Sequence, residues 1–505
     1  MRLRRQHCSW TWLVLPVAVF GASPDARLVD AAKRADHAAV QSLLKNGADV
    51  NSPLPDGTTA LHWAVKYNDA KLTDLLISSG ANVKAANRYG VTPILLACTN
   101  SSAPIVEKLL AAGADPNAML PEGDTALMTA ARAGNVDTVK LLLGHGATVD
   151  AREGWRGQTA LMLAAAENHP DVVKILIEHG ASVAAHSNLP ARTGAANRFT
   201  GYYDAGQGGF SSLLFAVREG HLQCVKLLLD AGADPNDALP SGFSALTLAV
   251  LNAHYQVAAL LLDKGANPKD DKVGFTALHQ LVWARDPNRH FNLPPPIPDG
   301  KVSDMELAQA LVTHGANVNA RMTKEPRDGY RNWMHRAGST PFVLAAKAAD
   351  TELMRFFLTH GADPKITAED GTNALMAAAG IGFWPAESNG TEAEALDAVK
   401  LCLNLGYDVN TANKDGFTAL HGAAVRGANS IVQLLYDKGA KLDAKTKNEH
   451  WMALNIADGV FLANTYKATP QTAAFLRQLM GIKTPRALGA RNVYGVNEEP
   501  PEPKK

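Results

Sequence analysis

The sequence has 505 residues, of which 46% are hydrophobic and only 6% aromatic. Its apolar content is mostly alanine, leucine and valine, which suits many small, close-packed helices better than one thick core. Lysine plus arginine and aspartate plus glutamate both number 49, so the formal net charge is zero. A nucleic-acid-binding protein usually carries a basic excess that neutralises phosphates. We therefore expect no nucleic-acid partner.

The N-terminus has the layout of a secretory signal peptide. A basic segment at 1–7 precedes an apolar run from Trp10 to Ala22. This run is shorter than the roughly 20 residues that a membrane-spanning helix needs. We predict a signal peptide at 1–22 and no membrane span in the mature chain. The mature protein would then be extracytoplasmic, either periplasmic or secreted. The alternative is an uncleaved N-terminal anchor that tethers the protein to a membrane.

One sequence unit recurs along nearly the whole chain. The glycine of a Gly-x-Thr/Ser-Ala/Pro-Leu motif returns mostly every 32 to 34 residues, with three longer intervals of 52, 64 and 45. A second motif, Gly-Ala-Asp-Val/Pro-Asn and its variants, keeps the same phase. Self-similarity at a fixed period is the signature of repeat architectures.

Each unit reads as helix, turn, helix and hairpin-like loop. Thr or Ser before Ala or Pro is a helix start, and Leu222, Val225, Leu227 and Leu228 form one buried stripe of a second helix. Gly232 then supplies a left-handed C-cap. Helices this short are marginal alone, so the units must stack to bury their leucines.

The period of 33 residues, with Thr-Ala/Pro-Leu-His-x-Ala followed by Val-x-x-Leu-Leu-x-x-Gly-Ala-Asp, resembles the ankyrin repeat family. The resemblance covers 24–485 and implies an all-α ankyrin-repeat solenoid of about twelve units. Units at 25–51 and 448–480 lack part of the motif and look like caps. The polar, proline-rich tail at 486–505 is predicted to be disordered.

Four segments interrupt the repeat. Those at 188–207 and 321–337 lengthen the loops between units, whereas those at 285–303 and 380–394 separate the two helices of one unit. They carry aromatic residues among Arg, Asn and Gly, and interface hot spots favour aromatics with Arg. The inserts either bind a partner or fold their aromatics onto the edge of the solenoid. Both interpretations stay open.

The resemblance also implies a partner-binding groove, lined by the ends of the first helices and by residues that follow the hairpin glycine. Phenylalanines after that glycine could form an exposed apolar row, or each could cover its neighbour's hairpin. Together with hairpin-tip and insert residues, the predicted partner-binding set is Lys66, Tyr67, Arg132, Trp155, Arg156, Glu167, Phe210, Arg218, Phe243, Phe275, Trp283, Tyr330, Trp333, Phe417 and Arg426.

The sequence carries no recognisable catalytic or metal-binding motif, such as HExxH, paired CxxC, GxSxG or a phosphate-binding glycine loop. Cys98, Cys224 and Cys402 lie in apolar helical patterns and are predicted to be free, buried cysteines. No metal and no cofactor are expected. The remaining route to a site would bring together residues of the inserts: His290, Asp286, Asp328, His335 and Glu387.

These observations predict a monomeric, non-enzymatic scaffold that is exported and binds a protein partner through its groove and inserted loops. One alternative is a small-ligand-binding or hydrolytic protein whose site the inserts form. Another is a secreted effector that acts on host proteins.

Overall fold

The fold is described here for residues 26–189, 208–285, 298, 300–324, 334–383, 390–462 and 465–482 of a computed structural model. The predicted signal peptide and tail lie outside these residues. The chain forms two compact units. Unit 1 contains the described residues up to Trp155, together with Glu178–Ala181, and unit 2 contains Arg156–Ile177 and the chain from Ser182 onward.

Short α-helices in successive pairs build both units. The helices up to the first boundary are α1 (Arg27–Lys33), α2 (His37–Lys45), α3 (Ala60–Lys66), α4 (Ala70–Ser78), α5 (Pro93–Thr99), α6 (Ala103–Ala111), α7 (Ala126–Arg132) and α8 (Val136–Gly144). The next pairs are α9 (Ala160–Ala166) and α10 (Pro170–Glu178), α11 (Ser212–Glu219) and α12 (Leu222–Asp230), α13 (Ala245–Leu251) and α14 (Tyr255–Asp263), and α15 (Ala277–Ala284) and α16 (Asp304–Thr313).

The remaining elements all belong to unit 2. They are α17 (Pro341–Lys347), α18 (Thr351–Thr359), α19 (Ala374–Ala379), α20 (Glu392–Asn404), α21 (Ala419–Arg426), α22 (Asn429–Asp437), α23 (Ala453–Asp458), β1 (Val460–Leu462), β2 (Thr465–Lys467) and α24 (Pro470–Leu479). Within the described residues, no helix is both long enough and apolar enough to cross a membrane.

The repeated Thr-Ala-Leu-His sequence is a helix-start signal and a stacking device at once. In α3, the backbone N–H of Thr59 donates to Nδ1 of His62 at 3.2 Å, and the Ala and Leu between them are buried. Because Nδ1 accepts this bond, Nε2 carries the proton and donates to the carbonyl of Val91 in the next repeat, 3.0 Å away. His279 and His421 make the same bonds to Ser339 and Trp451.

The asparagine that ends Gly-Ala-Asp-x-Asn joins each repeat to the next one by two hydrogen bonds. Its side-chain NH2 group donates to the carbonyl of the glycine that begins the same motif in the next repeat. Its side-chain oxygen accepts from the backbone N–H of the residue two positions after that glycine. For Asn319 these bonds reach Gly361 and Asp363 at 2.9 and 2.8 Å. The same arrangement recurs at Asn51, Asn117, Asn236 and Asn410. Both repeated motifs therefore specify stacking.

The structure confirms the predicted all-α repeat fold and adds two details. The C-terminal repeat holds a short antiparallel hairpin, β1 with β2, between its helices. In addition, α20 begins inside the predicted insert 380–394. Thr391 caps it with Glu394 in a capping box, and it runs for 13 residues, whereas the other described helices have at most 10.

Candidate functional site

Within each unit, the first helices of successive repeats pack side by side, and we call the surface that they present the first-helix face of that unit. Basic side chains lie in the last turn of several of these helices, seven or eight residues after the N-cap. In unit 1 they are Lys33, Lys66 and Arg132. In unit 2 they are Arg218, Lys347 and Arg426.

In unit 1, cations and aromatic rings form a connected cluster on this face. The Nζ atoms of Lys66 and Lys33 lie 4.6 and 5.1 Å from the ring centroid of Trp63. The Tyr67 ring stacks on Trp63 with a centroid separation of 5.7 Å, and Tyr67 is half exposed. Because Lys33 belongs to the preceding repeat, the cluster spans two repeats. We call it the lysine–tryptophan cluster.

The fifth residue of the Thr-Ala-Leu-His-x start shows how open the face is. In unit 1 this residue is Trp63, Leu96 or Thr129, and each is partly exposed. In unit 2 the equivalent side chains are buried, including Leu248, Gln280 and Leu344 at 1%, 0% and 2% exposure. The first-helix face is therefore open to solvent at this position in unit 1 and closed in the first five repeats of unit 2.

Four further residues of the predicted partner-binding set are exposed, two in each unit. Arg132 forms an exposed ion pair with Asp124, with 3.1 Å between Nη2 and the carboxylate. Trp155, at a hairpin tip, is 77% exposed. Arg156 and Glu167 are exposed as well and belong to unit 2. Their partner-binding role stays a prediction.

Of the two alternatives for the phenylalanines after the hairpin glycine, an exposed row or packing, the structure supports packing. Phe210, Phe243, Phe275 and Phe417 are between 2% and 9% exposed. Phe275 packs edge-on against both Phe243 and Trp283, with centroids 6.0 and 4.8 Å apart. The sequence allowed each phenylalanine to cover a neighbouring part of the chain instead, and the burial agrees with that alternative. The hairpin glycine turns the next side chain inward, so that it adds to packing.

Arginines on the first-helix face of unit 2 are engaged within the chain. The Arg218 guanidinium lies 4.9 Å from the Phe210 ring and pairs with Glu219. Arg426 lies 4.5 Å from the Phe383 ring and donates to the carbonyl of Gly390. Burial lowers the pKa of Arg426 to about 10, although Glu392 and Glu394 oppose the shift.

Phe383 and Gly390 belong to the insert 380–394, and both residues are held by contacts to other parts of the chain. Besides Arg426, the Lys467 ammonium contacts Phe383 and donates to its carbonyl at 2.9 Å. On the same side, a Cβ atom at Gly422 would lie 2.8 Å from the Ile381 backbone nitrogen. Glycine at this fifth position thus allows the start of the insert to lie against α21.

The described residues bear on the predictions for metal ligands and for cysteines. They contain no group of three or more His, Cys, Asp and Glu side chains that could hold a metal ion. Cys98, Cys224 and Cys402 are free and buried, as predicted. Burial raises their thiol pKa to about 12, 11 and 12, so they are poor nucleophiles near neutral pH.

Most of the insert residues considered for a catalytic or binding role lie outside the described residues. Of the insert residues considered for a ligand site, only His335 is described, and it is exposed. Tyr330 and Trp333 also lie outside the described residues. Their predicted roles remain untested.

Arg285 forms a network of ion pairs that the sequence did not predict. Its guanidinium forms ion pairs with three carboxylates. The N–O distances to Asp350 and Glu352 are 2.6 and 2.8 Å, and the third partner is Asp304. Burial alone would lower the pKa of Arg285, but the three carboxylates outweigh it and raise the pKa. The cluster joins the end of α15 to the starts of α16 and α18, and so fixes both ends of the insert 285–303.

Stacked helix pairs in which the same hydrogen bonds join successive repeats define a repeat protein. A family model described as ankyrin repeats (3 copies) matches 28–120, 102–187, 204–289 and 388–458, which is well over half of the chain. The chain belongs to the ankyrin repeat family. Such repeats indicate a protein–protein interaction scaffold, and the family is generally a non-catalytic interaction module.

Curated relatives match over short stretches. The chain is 35% identical over 69 residues to serine/threonine-protein kinase 12 of Arabidopsis thaliana, covering 14% of each protein. It is 32% identical over 129 residues to ankyrin repeat, SAM and basic leucine zipper domain-containing protein 1 of Mus musculus, covering 26% of this chain and 23% of that protein. The chain thus spans less than a quarter of the length of these two relatives.

Among solved structures, the crystal structure of the human ASB11 ankyrin repeat domain matches with a TM-score of 0.39 and 26% identity. The match covers 48% of this chain and 98% of that one.

Proposed function

We propose that this chain is a non-enzymatic scaffold that holds a protein partner on the first-helix face of unit 1. The observation that carries the proposal is the exposed lysine–tryptophan cluster on the open part of an ankyrin-repeat surface. Trp and Tyr are enriched among residues that dominate binding energy. Exposed aromatic surface beside two exposed ammonium groups is suited to protein recognition rather than to folding alone.

The mechanism is recognition by a rigid surface. The histidine and asparagine bonds between repeats fix the spacing of the first helices before a partner arrives. Preorganisation of this kind lowers the entropic cost of binding. Trp155, at a hairpin tip of the same unit, would extend the contact, and binding through the inserts with Tyr330 and Trp333 is a separate part of the proposal.

We also propose that the scaffold works outside the cytoplasm. The support is the sequence of residues 1–22, a basic start followed by an apolar run from Trp10 to Ala22. In this proposal the mature chain acts as a monomer in a periplasm or as a secreted protein, and nucleic acid is not its partner.

The test is affinity capture from the native extracytoplasmic fraction with the tagged full chain, followed by mass spectrometry. Tyr67→Ala is compared with Tyr436→Ala, because both tyrosines are exposed, at 50% and 41%, but Tyr436 lies on the second helix α22. We expect Tyr67→Ala to reduce partner recovery about tenfold or more and Tyr436→Ala to leave it unchanged. Equal recovery with both variants would contradict the proposed surface.

A further inference from the structure

The lysine–tryptophan cluster has an unbalanced charge. In the part of the chain that the structure describes, neither Lys33 nor Lys66 has a carboxylate within salt-bridge distance, and both ammonium groups contact the Trp63 ring instead. Both side chains are exposed. An ammonium group over an indole ring is still available to an anion that approaches from solvent. The cluster is therefore a cationic surface with an aromatic floor.

We propose that the first-helix face of unit 1 binds an acidic peptide segment in an extended conformation. The inference rests on the proposed function and names the chemistry of the partner. The carboxylates of the segment would pair with Lys33 and Lys66, and its intervening side chains would lie against the exposed Tyr67 ring. Charge complementarity of this kind sets partner choice and association rate.

The spacing of the repeats fixes the spacing of the carboxylates. Lys33 and Lys66 belong to the packed neighbours α1 and α3, and packed helices lie about 8–10 Å apart. An extended peptide in the polyproline II conformation advances about 3.1 Å per residue with three residues per turn. Acidic side chains three residues apart then lie on one face, about 9 Å apart, and match two successive lysines.

The charges around the cluster set the limits of the acidic segment. Asp30 is exposed in α1, one turn before Lys33, and would repel a carboxylate that lies toward the start of α1. Arg132, two repeats after Lys66, already pairs with Asp124. That pair is solvent-exposed and therefore weak, so a peptide carboxylate could exchange with Asp124.

A peptide fits these observations better than a nucleic acid does. The chain carries no net charge, whereas nucleic-acid binding relies on a broad basic excess. A single-stranded nucleic acid would also need aromatic rings on which its bases stack. Here the Tyr67 ring and two ammonium groups already occupy the space over the Trp63 ring.

The test uses a fluorescein-labelled peptide of about 13 residues with glutamate at every third position and a matched peptide with glutamine instead. Binding to the full chain is followed by fluorescence anisotropy. We expect the glutamate peptide to bind about tenfold more tightly or better, and to weaken as salt rises. Lys33→Glu with Lys66→Glu should remove this preference.

The control pair is Lys71→Glu with Lys140→Glu, which changes the net charge equally on the second helices α4 and α8, where both lysines are exposed. We expect these variants to bind the glutamate peptide within about twofold of the parent. Circular dichroism spectra that match the parent would show that all variants fold.

Three results would overturn the inference: equal binding of the two peptides, equal loss with both lysine pairs, or tighter binding of an oligouridylate than of the glutamate peptide. The capture experiment separates this failure from failure of the proposed function. If Tyr67→Ala still loses the native partner, the scaffold surface stands and only the acidic occupant is wrong. If Tyr67→Ala retains the partner, the proposed surface itself fails.

Discussion

Replacing Arg285 by methionine is expected to destabilise unit 2 by about 3 kcal/mol, because removal of one member of a largely buried ion pair leaves the opposite charges unpaired. Methionine keeps most of the apolar stem but no cation, so Asp304, Asp350 and Glu352 would remain close together without compensation. The loss would appear in urea denaturation and as faster amide hydrogen exchange at the start of α16.

Two variants give this prediction its controls. Arg285→Lys retains the charge but cannot contact several carboxylates with a planar fork, so it should be intermediate. Adding Glu352→Gln to Arg285→Met should recover part of the loss, because one repelling carboxylate is removed. A methionine variant as stable as the parent would show that the cluster contributes nothing to the attachment of α16.

Acidification is expected to weaken unit 2 through His279. This histidine is fully buried, and burial lowers its pKa from 6.5 to about 4 despite the bond from Nε2 to Ser339. Between these pH values the unfolded chain binds a proton that the folded chain does not. Lowering the pH therefore favours unfolding, by about 3 kcal/mol in total for this group. His62 and His421, whose pKa burial also lowers, act in the same direction.

The His279→Met variant isolates this contribution, because other repeats of the same chain place Met128 and Met162 at the equivalent position. At pH 7.5 the variant should lose about 1 kcal/mol with the bond to Ser339. Between pH 6.5 and 4 its stability should fall less steeply than that of the parent. Urea midpoints across this range would measure both effects, and identical slopes would show that His279 does not titrate as argued.

The repeat fold could be predicted from sequence because its signals are local and periodic. Thr59 and His62 are three residues apart, and Asn319 ends a five-residue motif, so their pattern returns in each repeat. The exceptions depend on contacts between distant residues. Arg285 meets Asp350 and Glu352, which lie 65 and 67 residues further along the chain, and no periodicity marks them.

The open part of the surface could not be predicted for a similar reason. Lys66, Tyr67 and Arg132 were predicted to line a partner-binding groove; the structure shows that they are exposed at the first-helix ends, and their binding role stays a prediction. For Phe243 and Phe275 the sequence was compatible with either exposure or packing. In the structure, neighbouring residues bury both side chains. At the fifth position, Gln280 and Trp63 are equivalent in sequence register, but only Trp63 remains accessible.

The central claim is that a protein partner occupies the first-helix face of unit 1, and site-specific photo-crosslinking tests it most directly. A benzoylphenylalanine would replace Tyr67 in one sample and Tyr436 in the other. Both tyrosines are exposed, but Tyr67 lies at the end of a first helix and Tyr436 lies on a second helix. After irradiation in the native extracytoplasmic fraction, the account predicts a discrete adduct with a protein partner from position 67 and none from position 436. An adduct from position 436 alone would contradict it.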